Sequence, residues 1–531
     1  MTASPSTAGA NFAIPSDYGP RRTRQDGPHV NGWPLLFLFF GTLSICLFYR
    51  DLFFPLWLSV VLMALVAFYV MQQYTAKRMG ALMALLFLCY LLPFIHIPEY
   101  LWYDYDAPEP SFGFGELASN PYMFDPSIIR LTAMLGATGA LGIAFGCSLC
   151  RIRPVVAPNR VPNHGVHSAR SMSMPVWFCW VLAGICLSII SAPRETMFEA
   201  AYAATKGFSD AINLSSAWLA SYITVNYAFV DALLERDSKK RQLKVGLTFA
   251  VAAYLAVWLQ LMRGNRECIP WIFALALTYF STATGYPNIG RAKLRWYMVA
   301  LGVCGLLLVS VIVGAMRTEV VDTHASDLYS VVVTLWSEGT HGLRNILFGT
   351  WSAVLLTPLS VAGDHYNGML ATGWGKDYMN LLLSVPPGFI ADSLGYSRPI
   401  GVETETGPAW AMRYGLGGTH AVVLPFMNFR MLGVFVVPTL WGFAMNRIES
   451  TSLRARSVPS LCLLLTLASV APHWLWYGEK NLITAVIIWF LLTCLYRIFM
   501  PTSRVAFTQA PSCERLISNR TPNTSSVMQR K

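Results

Sequence analysis

About twelve stretches, each about 20 predominantly apolar residues long, recur along this chain. They begin near Pro34, Phe53, Met79, Ile128, Val176, Leu214, Lys244, Cys268, Trp296, Met431, Val458 and Leu482. A helix of that length crosses a hydrocarbon core about 30 Å thick. A backbone in lipid must satisfy its own hydrogen bonds, which such helices do internally. The pattern predicts an all-α, polytopic membrane protein. Composition agrees: 54% of the 531 residues are hydrophobic and 13% are charged, against about 25% charged in soluble domains.

The formal charge of +11 does not imply nucleic acid, because the basic residues are distributed over alternate turns and form no single patch. One set of turns carries Lys77 and Arg78; Arg151, Arg153, Arg160 and Arg170; Arg236, Lys239, Lys240 and Arg241; Arg291, Lys293 and Arg295; and Arg447, Arg454 and Arg456. By the positive-inside rule these face the cytoplasm. Residues 1–33 and 501–531 belong to the same side as polar cytoplasmic tails, the first of them disordered by composition, and no cleavable signal is visible. Spans one to nine then occupy 34–316 and spans ten to twelve 431–500. The turn from Arg263 to Glu267 and the long segment 317–430 face outward.

That long segment is too polar to cross the bilayer and too long to be a mere connection. Within it, Ile346–Val361 is moderately apolar. Counting it as a span would invert every later turn, so it is expected to be a surface or re-entrant helix. Glycines Gly415, Gly417 and Gly418 lead to His420. The aromatic, acidic run around Trp102, Tyr103 and Tyr105 reads as an interfacial anchor, and its Asp104 and Asp106 form the one D-x-D spacing. Most of the eleven cysteines fall inside apolar stretches and are expected in the core, whereas Cys147 and Cys150 form a C-x-x-C at a membrane edge with no second pair, which argues against metal or redox use. No metal and no cofactor is expected.

The outer face collects arginines beside carboxylates and histidine. A guanidinium presents a planar fork of donors matched to phosphate oxygens and stays charged in any surroundings. Arg263, Arg266, Arg317, Arg344 and Arg413 are the candidate diphosphate-binding residues. Arg263 and Arg266 stand before the apolar stretch at Cys268, whose helix N-terminus would add positive potential. Glu267, Glu403, Glu405 and His420 are the candidate catalytic bases for activating a hydroxyl. Such a set suits transfer from a lipid-linked diphosphate donor.

The turn "MRGNREC" between two spans, the long late outer loop, and "GLGGTHAVVLPFMNFRMLGVFVVPTLWG" leading into a span together resemble the Wzy-type O-antigen and exopolysaccharide repeat-unit polymerases. In that family an N-F-G-x-x-G entry opens the next helix. Here it reads Asn428, Phe429, Arg430, Met431, Leu432, Gly433, so an arginine stands where the first glycine is expected. The resemblance implies a GT-C-like, inverting, metal-independent glycosyltransferase of a bacterial inner membrane. It would join undecaprenyl-diphosphate-linked oligosaccharide repeat units at the outer face, with membrane lipids around it and a chain-length regulator and export machinery as candidate partners. An O-antigen ligase is the nearest alternative, and a lipid-linked oligosaccharide flippase or transporter the next. Sugar identity and linkage are not written in these residues.

Overall fold

The computed structural model describes residues 79–95, 125–150, 171–191, 217–235, 237–259, 268–284, 354–386, 388–397, 419–455 and 457–500, with Gln73 and Tyr122. These residues are helical, with no sheet among them. In chain order the helices are α1 (Ala81–Ile95), α2 (Pro126–Leu149), α3 (Met174–Ser191), α4 (Ala217–Leu234), α5 (Ser238–Leu259) and α6 (Cys268–Thr284). Then come α7 (354–366), α8 (Lys376–Ser384), α9 (Gly388–Ser393), α10 (Val423–Ala455), α11 (Val458–Tyr477) and α12 (Lys480–Phe499). Among the described residues three segments, Ser127–Leu149, Val423–Leu453 and Lys480–Phe499, are long and apolar enough to cross a membrane, and four shorter apolar helices accompany them. The apolar stretches expected near Pro34, Phe53 and Trp296 lie outside the described residues.

Each helix begins where its chemistry directs. Asp125 caps α2 by accepting from the Ser127 N–H, with Pro126 in the first turn, where proline loses no hydrogen bond. Ser457 and Pro459 open α11 in the same way. The N-terminus of α1 is capped from α10: Gly80 N–H donates to Asn446 Oδ1 at 3.2 Å and Leu82 N–H to Glu449 Oε2 at 3.1 Å. A buried carboxylate there meets the positive end of the helix dipole.

The core gathers around α4 and α11. Residues 221–232 of α4 are buried on every face, as expected of a helix surrounded by others. Tyr222 stacks on Trp271 with ring centroids 4.2 Å apart, and the Trp271 indole N–H donates to Asn226 Oδ1 at 2.8 Å. Among the described helices the most extensive contact is that of α2 with α10. Gly142 and Gly146 lie against the carbonyls of Phe435 and Thr439, and Gly442 against that of Ile143. A Cβ at Gly146 would come 2.0 Å from the Thr439 oxygen. This is the small-residue contact by which apolar helices approach where no hydrophobic drive exists between them.

The helices alternate in direction. The start of α1, the end of α2 and the late part of α10 meet through Asn446, which also donates to the carbonyls of Cys147 and Cys150. At the opposite end, the end of α11 and the turn before α10 meet the late part of α1: Ala421 N–H donates to Leu475 O at 2.7 Å and Trp476 to Cys89 O at 2.7 Å. A third junction joins α3, α4 and α5. There Lys244 Nζ lies 3.3 Å from Asp231 and 3.0 Å from Glu235, and donates to Met172 O. Partial burial raises the Glu235 carboxyl, but the hydrogen bonds of Ser171 and Lys244 and the lysine charge outweigh it and hold the group at about 2.

Candidate functional site

The site is built around a break in α10. Arg430 has φ 56° and ψ −149°, a left-handed conformation that is almost the preserve of glycine and costs a side-chain-bearing residue about 1–3 kcal/mol. The chain before it, from Val423, is one short helix; the chain after it is a long one. The two fold closely together, because Gly433 lies against the Pro425 carbonyl, where a Cβ would come within 2.3 Å of the oxygen. Both special positions fall in the Asn428–Gly433 motif. The helix therefore begins inside the stretch expected to be loop and breaks at its last residue.

Asn428 ties this break to the segment that follows α7. Its Oδ1 accepts from the N–H groups of Gly375 at 2.8 Å and Asp377 at 3.3 Å. Its Nδ2 donates to Asp377 Oδ2 at 3.1 Å and Leu424 O at 3.0 Å. One amide thus supplies a cap for α8 in place of the absent side chain at Gly375. Gly373 and Trp374 N–H groups donate to the carbonyls of Met427 and Asn428, so residues 373–374 pair with the last carbonyls before the break. A Cβ at Gly373 would lie 2.7 Å from Asp377 Oδ2 and 2.8 Å from Asn428 Oδ1.

The Arg430 guanidinium is fixed in this frame. Its Nε donates to Thr372 Oγ1 at 3.0 Å and its Nη2 to the Leu370 carbonyl. The group sits 5.7 Å from the centroid of Phe426, a cation–π position. Its Nη1 is buried and hydrogen-bonded to nothing among the described residues. An unmatched buried donor on a charged group is costly, and here it is carried on a strained backbone. His365 meets the same Phe426 ring edge-on, with centroids 5.1 Å apart. Burial, then the Arg430 charge, lower its pKa, so at neutral pH the imidazole is uncharged and able to accept a proton. The adjacent Asp364 accepts the Tyr122 hydroxyl at 2.9 Å and, through its carbonyl, the N–H groups of Met369 and Leu370.

Residues 354–364 of α7 are buried without exception. The surface option for this segment is corrected: a helix on the bilayer surface would expose one face, and this one is inserted among other parts of the protein.

Of the sequence-derived candidates, His420 is described and stands apart from Arg430. It is fully buried, its ring edge-on to Tyr90 and Phe94. Its Nδ1 accepts the Val422 N–H at 3.1 Å and its Nε2 lies 3.1 Å from the Tyr90 carbonyl, the neutral tautomer protonated at Nε2. Burial pushes its pKa down to about 3. Both nitrogens are engaged in closing the entry turn, so acting as a base would require giving up the Val422 bond. Arg263, Arg266, Glu267, Arg317, Arg344, Glu403, Glu405 and Arg413 lie outside the described residues, as do Asp104 and Asp106. Among the described residues no cluster of three His, Cys, Asp or Glu side chains could hold a metal ion.

Arg430 was one of several outer arginines in the sequence, distinguished only by replacing an expected glycine. His365 carried no local signal at all. No family model, no curated protein and no solved structure matches the chain.

Proposed function

We propose that this chain is a repeat-unit polysaccharide polymerase of about twelve spans, acting on undecaprenyl-diphosphate-linked oligosaccharides at the outer face of a bacterial inner membrane. The observation that carries the reading is the Arg430 guanidinium, held by Thr372 and Leu370 with Nη1 unmatched, at the break within the motif on which the resemblance rests. The positive-inside rule supports the orientation. Arg241, Arg447 and Arg497 belong to the helix ends away from this break, which supports reading the break as outward-facing.

In the proposed reaction the anomeric carbon–oxygen bond to the diphosphate breaks as an acceptor hydroxyl attacks from the opposite face. The diphosphate leaves with the electron pair, and a fixed guanidinium opposes the charge as it develops without needing to reorient. The hydroxyl proton passes to a neutral or anionic base. His365 joins Glu267, Glu403, Glu405 and His420 as a candidate, supported by its lowered pKa and its place beside Arg430. Arg263, Arg266, Arg317, Arg344 and Arg413 remain the other proposed diphosphate ligands.

The test is the lipid-linked glycan profile of a strain lacking the protein, complemented with the parent chain or with Arg430→Lys. Single repeat units accumulating at the outer face, relieved by the parent and not by a membrane-inserted Arg430→Lys chain, is the expected result, because lysine keeps the charge and loses the fork. Units trapped on the cytoplasmic face would instead mark a transporter. Long chains left on the lipid carrier would mark a ligase.

A further inference from the structure

Beside the break, α8 carries two apolar faces. Tyr378 and Leu381 turn inward, while Met379, Leu382 and Leu383 form an outward stripe at 59%, 53% and 43% exposure. Residues at i, i+3 and i+4 share one side of a helix, so the stripe is coherent. Ile390 and Leu394, in and just after α9, are also exposed. Ahead of α8, Trp374 is held with φ 50° by its N–H bond to the Asn428 carbonyl, and its indole is 80% exposed. A soluble surface rarely leaves so much apolar area contiguous.

The stripe does not end at α8. Tyr378 stacks on Phe429 at 6.1 Å, 18° from parallel. Phe429 is itself partly exposed, and Leu432, Val436, Leu440 and Phe443 continue the exposed line down α10. That line is the outward face of a helix long and apolar enough to cross a membrane. α8 also packs against α12, another such helix. The occupant of an apolar face continuous with the outer surface of two spanning helices is the hydrocarbon around them. A helix of nine residues is too short to cross the bilayer.

We propose that α8 and α9 are an interfacial element, docked into the outer edge of the bilayer with Met379, Leu382 and Leu383 among acyl chains and Trp374 at headgroup depth. Amphipathic helices with an aromatic at the boundary bind membranes in this way. The consequence is positional: Arg430, two residues before Leu432 and tied to residues 370–372, is held at the depth of lipid phosphates. This stands independently of the polymerase reading.

The experiment places p-benzoylphenylalanine at Leu382, at Met379, at Leu440 on the spanning stripe, or at exposed Asp392. The full chain is reconstituted into phosphatidylethanolamine–phosphatidylglycerol vesicles and irradiated, and intact mass is read. The expected result is a mass increase of one phospholipid at Leu382, Met379 and Leu440, and none at Asp392. Adducts at Leu440 alone would overturn the proposal, as would crosslinks from Leu382 and Met379 to another segment of the chain or to a second copy. Lipid adducts at Asp392 as well would overturn the interfacial placement by burying all of α9. Two reporters on one face keep the test decisive if one substitution fails to fold.

Discussion

Replacing Arg430 by glycine and by alanine separates two roles that one substitution would confound. Both variants remove the guanidinium, with its bonds to Thr372 and Leu370 and its contact with Phe426, so that loss cancels between them. They differ in the Cβ, held here at φ 56° and ψ −149°. Alanine retains strain of about 1–3 kcal/mol in that region. Glycine relieves it and gives back about 0.5–1 kcal/mol in chain entropy. At mid-range the difference leaves the glycine variant more stable by about 1 kcal/mol, the reverse of the order in an unbroken helix, where alanine wins by about 1 kcal/mol. Denaturant titration of the full chain in one detergent, followed by tryptophan fluorescence, measures the order. An alanine variant as stable as the glycine variant, or more so, would refute the break at this residue. On the polymerase proposal both variants lose polymer formation, which makes stability and activity move apart in the glycine case.

Three further outcomes follow from the packing. His420 is held near pKa 3 in the folded chain, against about 6.5 unfolded. Below about pH 6.5 the unfolded chain therefore takes up a proton that the folded chain refuses, and stability falls as pH drops through that window. His420→Gln should flatten this part of the stability–pH curve, and an unchanged slope would contradict the buried neutral ring. Lys244→Met removes the lysine that meets both buried Asp231 and Glu235 and should cost about 3–5 kcal/mol. The triple variant with Asp231→Asn and Glu235→Gln should recover most of that in the same titration. Gly146→Ala forces a Cβ against the Thr439 carbonyl, whereas at Gly246 nothing lies within 4 Å. The first should destabilise by about 1–3 kcal/mol, and Gly246→Ala should be neutral or mildly stabilising, so equal thermal midpoints would count against close α2–α10 contact.

The elements legible in the sequence are those whose signal is local. Eight of the apolar stretches, among them those near Met79, Ile128, Cys268 and Val458, coincide with described helices, and a ninth does so except that α10 starts at Val423 and not at Met431. That exception is instructive. The polar and glycine-containing residues around Asn428 mark a boundary in composition, but the helix continues across it because Asn428 satisfies groups on two elements at once. His420 shows the opposite limit. The sequence offered it as a candidate base after a run of glycines, yet its ring lies between Tyr90 and Phe94, some 330 positions away in sequence, and no local pattern reports such a contact. The Tyr122 bond to Asp364, which fixes the turn beside His365, spans 242 positions and is equally invisible.

Arg430 lies between these cases. As a residue type in a motif it was legible, since an arginine had replaced an expected glycine. What that replacement requires was not, because the sequence does not reveal that the position has positive φ. A side chain is tolerated in such a conformation only where its surroundings over-determine it. Here Thr372, Leu370 and Phe426 provide three anchors, and they leave one donor unmatched. Glycine would satisfy the backbone alone. A residue that strains the backbone, is anchored at three points and keeps one buried donor unmatched is the place where the proposed phosphate-binding role and a purely structural role predict different outcomes, which is why both variants at this position are the ones to make first.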